Sequence, residues 1–179
     1  NLEKAAKAVE ELNRKLADSE IATDNETTME VARLLLATGD RERAVSMLQK
    51  EIKNSPENVA LLSDINGIFS EANMAEEGAR IVEVARQEAK EMMNRGVLLA
   101  RDGKLEEAVE WMRNARRAMP SNVRMLFNFA HVGVAYMQQN GFNSGLASEV
   151  RSSLEEANTL APGDRRYALQ MAALAKLES

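Results

Sequence analysis

The sequence has no cysteine among its 179 residues, only three prolines, and few aromatic side chains, which make up 4% of it. Without cysteine, the chain has neither a disulfide framework nor a thiolate metal site. No apolar run approaches the ~18 residues of a membrane span, and no apolar signal-peptide segment is visible. We therefore expect a cytoplasmic protein that does not enter membranes. The chain begins at Asn1 rather than Met, which predicts a piece of a longer or processed protein.

A basic excess is also missing, since 23 Lys and Arg residues face 28 Asp and Glu residues, for a net charge of −5. A nucleic-acid surface needs clustered basic residues, so we expect no nucleic-acid partner. Hydrophobic residues make up 45% of the chain, enough to bury a core, and methionine is frequent at 10 residues. Ala, Leu and Met are good helix formers, and the few glycines and prolines mostly fall between periodic segments. The composition therefore predicts an all-α fold.

The chain repeats one order of small and apolar residues. Small residues stand where two helices must touch, a glycine separates the two helices, and a proline closes the unit. The clearest copy contains Gly96, Leu99, Gly103, Ala108, Met112, Ala115 and Pro120, and an upstream copy contains Ala32, Leu35, Gly39, Ala44, Leu48 and Pro56. A period near ~34 residues predicts a stacked array of helical hairpins.

This period divides the chain into four repeats between two flanking helices, all in a single helical repeat domain over residues 1–179. The repeats are predicted at residues 25–58, 59–88, 89–122 and 123–162, and the flanking helices at 2–17 and 164–178. The second repeat lacks the closing proline, so residues 78–101 either form one long helix or bend near Ala89. The fourth repeat is several residues longer than the others.

The pattern resembles the tetratricopeptide repeat, a family with small residues at the eighth and twentieth positions and a proline in the last turn. The matching small residues are Ala32, Ala44, Gly96 and Ala108, and the matching prolines are Pro56, Pro120 and Pro162. Leu35 and Leu99 replace the usual aromatics of the first helix. The resemblance implies a right-handed α-α superhelix, a solenoid whose usual role is to bind other proteins without catalysis.

A narrower resemblance concerns four segments, residues 93–97, 105–109, 120–123 and 128–131. They are similar to the C-terminal array of bacterial response regulators, in which a phospho-accepting receiver domain precedes tetratricopeptide repeats. The resemblance implies the output or scaffolding part of a two-component signal-transduction protein. The receiver would lie upstream of Asn1, and this sequence contains no acidic receiver pocket of its own.

In such an array the first helix of each repeat lines a concave groove, which gives six candidate peptide-binding residues. They are Arg33, Lys90, Asn94, Arg124, Asn128 and His131. Asn94 and Asn128 share one register in successive repeats, so their amides could bond a peptide backbone while Lys90 and Arg124 attract a carboxylate. The alternative is that both asparagines cap or bridge neighbouring helices.

Other candidate sites favour structural roles. Three acidic pairs, Glu76-Glu77, Glu106-Glu107 and Glu155-Glu156, are predicted at helix starts, where they complement the helix dipole. His131 is the only histidine and has no metal-ligand companions at fixed spacing. A basic run at Arg113, Arg116 and Arg117 is expected on a solvated outer face. No catalytic or nucleotide-binding motif occurs, so we expect no enzyme, no cofactor and no metal.

Two functions follow as hypotheses. The first is a non-catalytic protein–protein interaction module that binds a peptide or helix in its groove. The alternative is an architectural module that forms homo-oligomers through the ends of the solenoid, especially helix 2–17, whose apolar stripe has no evident neighbour.

Overall fold

The computed structural model of the protein describes residues 25–178, in which eight α-helices and no strand occur. The helices are α1 Asn25–Thr38, α2 Arg41–Asn54, α3 Val59–Glu71, α4 Ala75–Arg101, α5 Leu105–Ala118, α6 Val123–Asn140, α7 Ser144–Leu160 and α8 Arg165–Glu178. The all-α prediction is confirmed for this part of the chain. The flanking helix predicted at residues 2–17 lies outside the described residues.

Asparagine side chains begin three of the helices. The Oδ1 atoms of Asn58, Asn122 and Asn143 accept hydrogen bonds from backbone N–H groups three residues later, at 3.2, 3.0 and 2.9 Å. These bonds satisfy N–H groups that have no partner inside α3, α6 and α7. Local sequence therefore sets where these helices begin.

The turns between hairpin helices need a backbone conformation that glycine adopts at low cost. Gly39 and Gly103 have positive φ angles of 89° and 79°, and each follows the first helix of a predicted repeat. In the second repeat Asn73 takes this place, with a φ angle of 57°. Asparagine tolerates the left-handed region better than most residues, so the turn survives without glycine.

The helix that begins at Ala75 continues without interruption to Arg101, over 27 residues. The sequence left open whether residues 78–101 form one helix or bend near Ala89, and the structure shows one helix. No proline or glycine pair interrupts this segment, so no local signal breaks the hydrogen-bond ladder. The loop between α6 and α7 comprises residues 141–143.

The chain divides into two compact units, the first ending at Ala85 and the second beginning at Arg86. The sequence predicted a single domain over residues 1–179, and whether the two units act as one domain stays a prediction. In the first unit, α1, α2, α3 and the start of α4 surround one apolar core. Its largest fully buried side chains are Leu35, Leu48, Ile52, Ile65, Ile68 and Phe69.

The second unit has its own core, built from the rest of α4 and from α5 to α8. Small residues let the helices approach closely. A Cβ atom on Gly133 would lie 2.5 Å from Cγ2 of Val150, so α6 and α7 touch at this point. Leu174 of α8 is fully buried in the same core, which attaches the last helix to the hairpin before it.

Asp164, which precedes α8, supplies a pH-dependent contact. Its Oδ1 atom accepts the backbone N–H of Arg166 at 2.9 Å, and its Oδ2 atom accepts from Nη2 of the same residue at 2.7 Å. These bonds lower the pKa of Asp164 from its ordinary 3.8 to about 2, and the bond from the Arg166 side chain contributes more than the bond from the backbone.

We expect an NMR titration of the Asp164 carboxyl carbon to give a midpoint near 2. A depressed pKa in the folded state stabilises the fold above the ordinary value near 3.8, and this stabilisation is lost as the pH falls toward 2. Asp164→Asn should remove this pH dependence. A midpoint at the ordinary value would show that the bonds to Arg166 are absent in solution.

Candidate interaction surface

A hollow of about 270 Å³ opens in the second unit among α4, α5 and α6. Its wall combines apolar groups with a polar edge. The lining residues are Val97, Ala100, Arg101, Leu105, Met112, Asn128, His131, Val132 and Ala135. Apolar walls with a few polar groups are typical of sites that hold one side chain of a ligand.

Two stripes of residues lead to this hollow, and each follows the spacing of one helix face. The α4 stripe is Lys90, Asn94, Val97 and Arg101, and the α6 stripe is Arg124, Asn128, His131 and Ala135. Positions three and four apart lie on the same side of an α-helix. The last two residues of the α4 stripe and the last three of the α6 stripe line the hollow.

The structure thus brings five of the six predicted groove residues into these stripes. Asn128 and His131 line the hollow itself. Lys90, Asn94 and Arg124 are exposed on the helix turns that precede it. None of these three side chains takes part in an ion pair or hydrogen bond recorded among residues 25–178.

Arg33, the sixth predicted residue, lies in the first unit. Its Nε atom is 3.6 Å from Oε2 of Glu71 on α3, and both side chains are at least half exposed. This predicted groove residue therefore already faces a carboxylate of its own chain.

Sequence reasoning missed Val97, Arg101 and Ala135. The signal was present, because the offset of 34 residues that aligns Asn94 with Asn128 also aligns Val97 with His131 and Arg101 with Ala135. Periodicity places these positions on one face. It does not show that α5 leaves space between them, since that depends on how three helices pack.

His131 is exposed, and a residue of α8 holds its ring. Nε2 of Gln170 lies 3.2 Å from Nδ1 of His131, within hydrogen-bond distance. Oε1 of Gln170 is buried without a hydrogen-bond partner. The contact between α6 and α8 therefore orients His131 at the edge of the hollow.

The first unit contains a hollow of about 240 Å³ at the same place in the repeat. A constant offset of 64 residues relates the linings of the two hollows. It aligns three residues of α1 with three of α4, namely Arg33 with Val97, Leu36 with Ala100, and Ala37 with Arg101. On the facing helix Glu71 of α3 corresponds to Ala135 of α6 (71 to 135).

A broader and more open cleft lies elsewhere in the first unit, between α2 and the start of α4. Charges of both signs line it, including Arg41, Arg80, Glu42, Glu76 and Glu77. Opposite charges side by side favour no partner of one sign. We therefore place the candidate site at the hollow of the second unit, although the cleft is larger.

Two residues of the basic run of α5, Arg113 and Arg116, are mostly covered, which corrects the expectation from sequence, whereas Arg117 is exposed as expected. Nη2 and Nε of Arg113 donate to the two carboxylate oxygens of Glu149 on α7, each at 2.9 Å. Nη1 of Arg116 donates to Oγ of Ser153 at 2.7 Å, and its guanidinium lies 4.6 Å from the ring centre of Phe129. The hydrogen bond to Glu149 raises the pKa of Arg113, whereas burial lowers the pKa of Arg116.

Two of the three acidic pairs lie where they were predicted. Glu76-Glu77 and Glu106-Glu107 stand in the first turns of α4 and α5. The prediction for Glu155-Glu156 is wrong, because α7 begins at Ser144 and this pair lies more than two turns inside it. Residues 25–178 contain no group of three His, Asp or Glu side chains that could hold a metal ion.

No protein-family description, curated protein or solved structure matches the chain. The resemblance to tetratricopeptide repeats therefore stays a prediction that rests on residues of the sequence. The structure establishes the all-α class for the described part of the chain. None of the helices between Asn25 and Glu178 is long and apolar enough to cross a membrane.

Proposed function

We propose that the protein is a non-catalytic protein–protein interaction module, and that the α4 and α6 stripes form part of the concave groove of a right-handed, tetratricopeptide-like superhelix. The groove would bind a peptide or a helix of a partner. The observation that carries this proposal is the hollow of the second unit, at which two stripes of equal register converge. Exposed amides, cations and an apolar recess are the groups that recognise an extended chain.

Each group of the surface has a part in this binding. The amides of Asn94 and Asn128 can donate to peptide carbonyls and accept from peptide N–H groups. Lys90 and Arg124 attract carboxylates of the partner. Because helices carry these side chains, the backbone of the surface is ordered before binding, and little conformational entropy is lost.

The resemblance to response regulators supports a more specific context. In this proposal the chain is the output or scaffolding part of a bacterial two-component protein in the cytoplasm. Phosphorylation of an attached receiver domain would change access to the groove or the self-association of the array. The chain needs no cofactor or metal for this role.

The proposal is tested by capturing partners from native lysate with the chain and with a triple variant, Asn94→Ala, Asn128→Ala and His131→Ala. A protein retained by the first and lost by the second supports groove binding. The control variant, Ser63→Ala with Ser152→Ala, removes two exposed polar side chains outside the stripes and should keep the partner. Equal capture by the chain and the triple variant would contradict the proposal.

The alternative is a self-assembly module, and one observation favours it. The last described helix, α8, presents an apolar face to solvent, where Leu169 is 69% exposed beside the exposed Ala168, Ala172 and Ala175. Terminal helices of solenoids usually have a polar outer face. Sedimentation or light scattering separates the two functions, since a dimer that Leu169→Glu converts to a monomer supports self-assembly, and a monomer at all concentrations opposes it.

A further inference from the structure

The two register-matched hollows differ at the two positions that face each other across them. In the first unit, Arg33 and Glu71 join α1 to α3 through their ion pair. In the second unit, the corresponding positions hold Val97 and Ala135. No ion pair therefore joins α4 to α6 at these two positions of the second hollow, where both residues are apolar.

Exposed apolar surface continues beyond the rim of the second hollow. Val97 is 41% exposed and the adjacent Leu98 is 58% exposed, although each is large enough to be a core residue. Single exposed apolar residues are common on soluble proteins. Here Val97 lines a recess that Leu105 and Met112 of α5 also line, so one inserted side chain would contact three helices.

The charged residues of the two stripes have one sign. The two stripes contain Lys90, Arg101 and Arg124 and no carboxylate, although the whole chain has a net charge of −5. No ion pair recorded between residues 25 and 178 involves these three cations. A partner with carboxylates is therefore complementary to this surface.

We infer that the hollow of the second unit binds one apolar side chain, of leucine or methionine size, from an acidic peptide segment whose flanking carboxylates contact Lys90, Arg101 and Arg124. This inference rests on the proposed function and names the chemistry of its partner. Each stripe extends from its first to its last residue over 11 helical steps (90 to 101, 124 to 135), which corresponds to roughly 16 Å at about 1.5 Å per residue. That length suits a peptide of several residues and exceeds what a small ligand in the hollow needs.

The test uses a random dodecapeptide display library as the probe, selected against the intact chain. We expect selected peptides to share one Leu, Met or Ile flanked by Asp or Glu. Synthetic copies are then measured by fluorescence anisotropy against the chain and its variants. Selection of peptides without an apolar residue, or of basic peptides, would overturn the inference.

The decisive variant rebuilds the ion pair of the first hollow in the second, as Val97→Arg with Ala135→Glu. The net charge stays the same, and both positions are partly exposed, so the variant should fold. The variant removes the space in which a leucine-sized side chain would be buried, so it should weaken binding at least about tenfold. Equal affinity for the chain and this variant would refute the inference.

Two further variants complete the design. Arg33→Val with Glu71→Ala removes the ion pair of the first unit and should leave the affinity for the selected peptides within about twofold. Lys90→Glu with Arg124→Glu should abolish the preference for acidic peptides. In one outcome, selected peptides fail to bind the Asn94, Asn128 and His131 triple variant and still bind the Val97 and Ala135 variant. That result would support binding in the groove and refute the insertion of an apolar side chain into the hollow. If they bind that triple variant as well as the chain, both proposals fail.

Discussion

Replacement of Gly78 by alanine is expected to lower the free energy of unfolding of the first unit by about 2 kcal/mol. A Cβ atom at this position of α4 would lie 2.6 Å from Cδ2, 2.7 Å from Cγ and 2.9 Å from Cβ of Phe69. The phenylalanine is fully buried, and its Cβ atom is attached directly to the backbone of α3. Relief of the contact therefore requires α3 and α4 to move apart, which opens the core.

Because the only tryptophan, Trp111, belongs to the second unit, its fluorescence cannot report this change. We would measure it by urea unfolding followed by circular dichroism, and by amide hydrogen exchange of α3. Faster exchange of α3 amides is the expected result.

Two other glycines provide matched controls for Gly78. At Gly67, also within a helix, an added Cβ atom has no neighbour within 4 Å, so Gly67→Ala should stabilise the first unit by about 0.5–1 kcal/mol. At Gly96 the nearest atoms belong to the flexible side chain of Met112, which can move aside, so Gly96→Ala should cost less than Gly78→Ala. A stabilising Gly78→Ala would disprove the close approach of α3 and α4.

Replacement of Glu149 by alanine is expected to lower the free energy of unfolding of the second unit by about 2 kcal/mol. The change leaves Arg113 and Arg116 without the carboxylate that both contact, and their side chains are only 24% and 25% exposed. Loss of one partner of a fully buried ion pair costs about 3–5 kcal/mol, and partial exposure reduces that cost here. Fluorescence of Trp111 on α5 during urea unfolding measures the effect.

The control for Glu149 is an ion pair with similar distances and greater exposure. Nη2 of Arg151 lies 2.6 Å from Oε1 of Glu178, and these two side chains are 40% and 33% exposed. Solvent screens such a pair, so Arg151→Ala should cost clearly less than Glu149→Ala. Equal effects of the two replacements would mean that Glu149 contributes no more than a surface ion pair.

The ends of the helices followed from the sequence because the interactions that end a helix are local. Gly39 and Gly103 lie at the predicted turns, and Asn122 caps a helix with an atom only three residues away from its partner. The 34-residue offset that aligns Asn94 with Asn128 can likewise be read from the sequence alone. Such patterns depend on spacing along one chain, which the sequence contains in full.

Tertiary packing decided the contacts between distant residues. Arg113 and Glu149 are 36 residues apart and meet only because α5 and α7 both pack on α6. The sequence predicted that Arg113 is solvated, whereas this packing leaves it partly buried. Arg33 likewise meets Glu71 across two helices.

By itself the sequence determined the all-α class, the turns at Gly39 and Gly103, and the register that Asn94 shares with Asn128. Only the tertiary structure decided that Val97 and Ala135 border an open hollow whereas their counterparts in the first unit form an ion pair. The physical reason is that periodicity records which residues share a face, whereas the space and charge between faces depend on how several helices pack together.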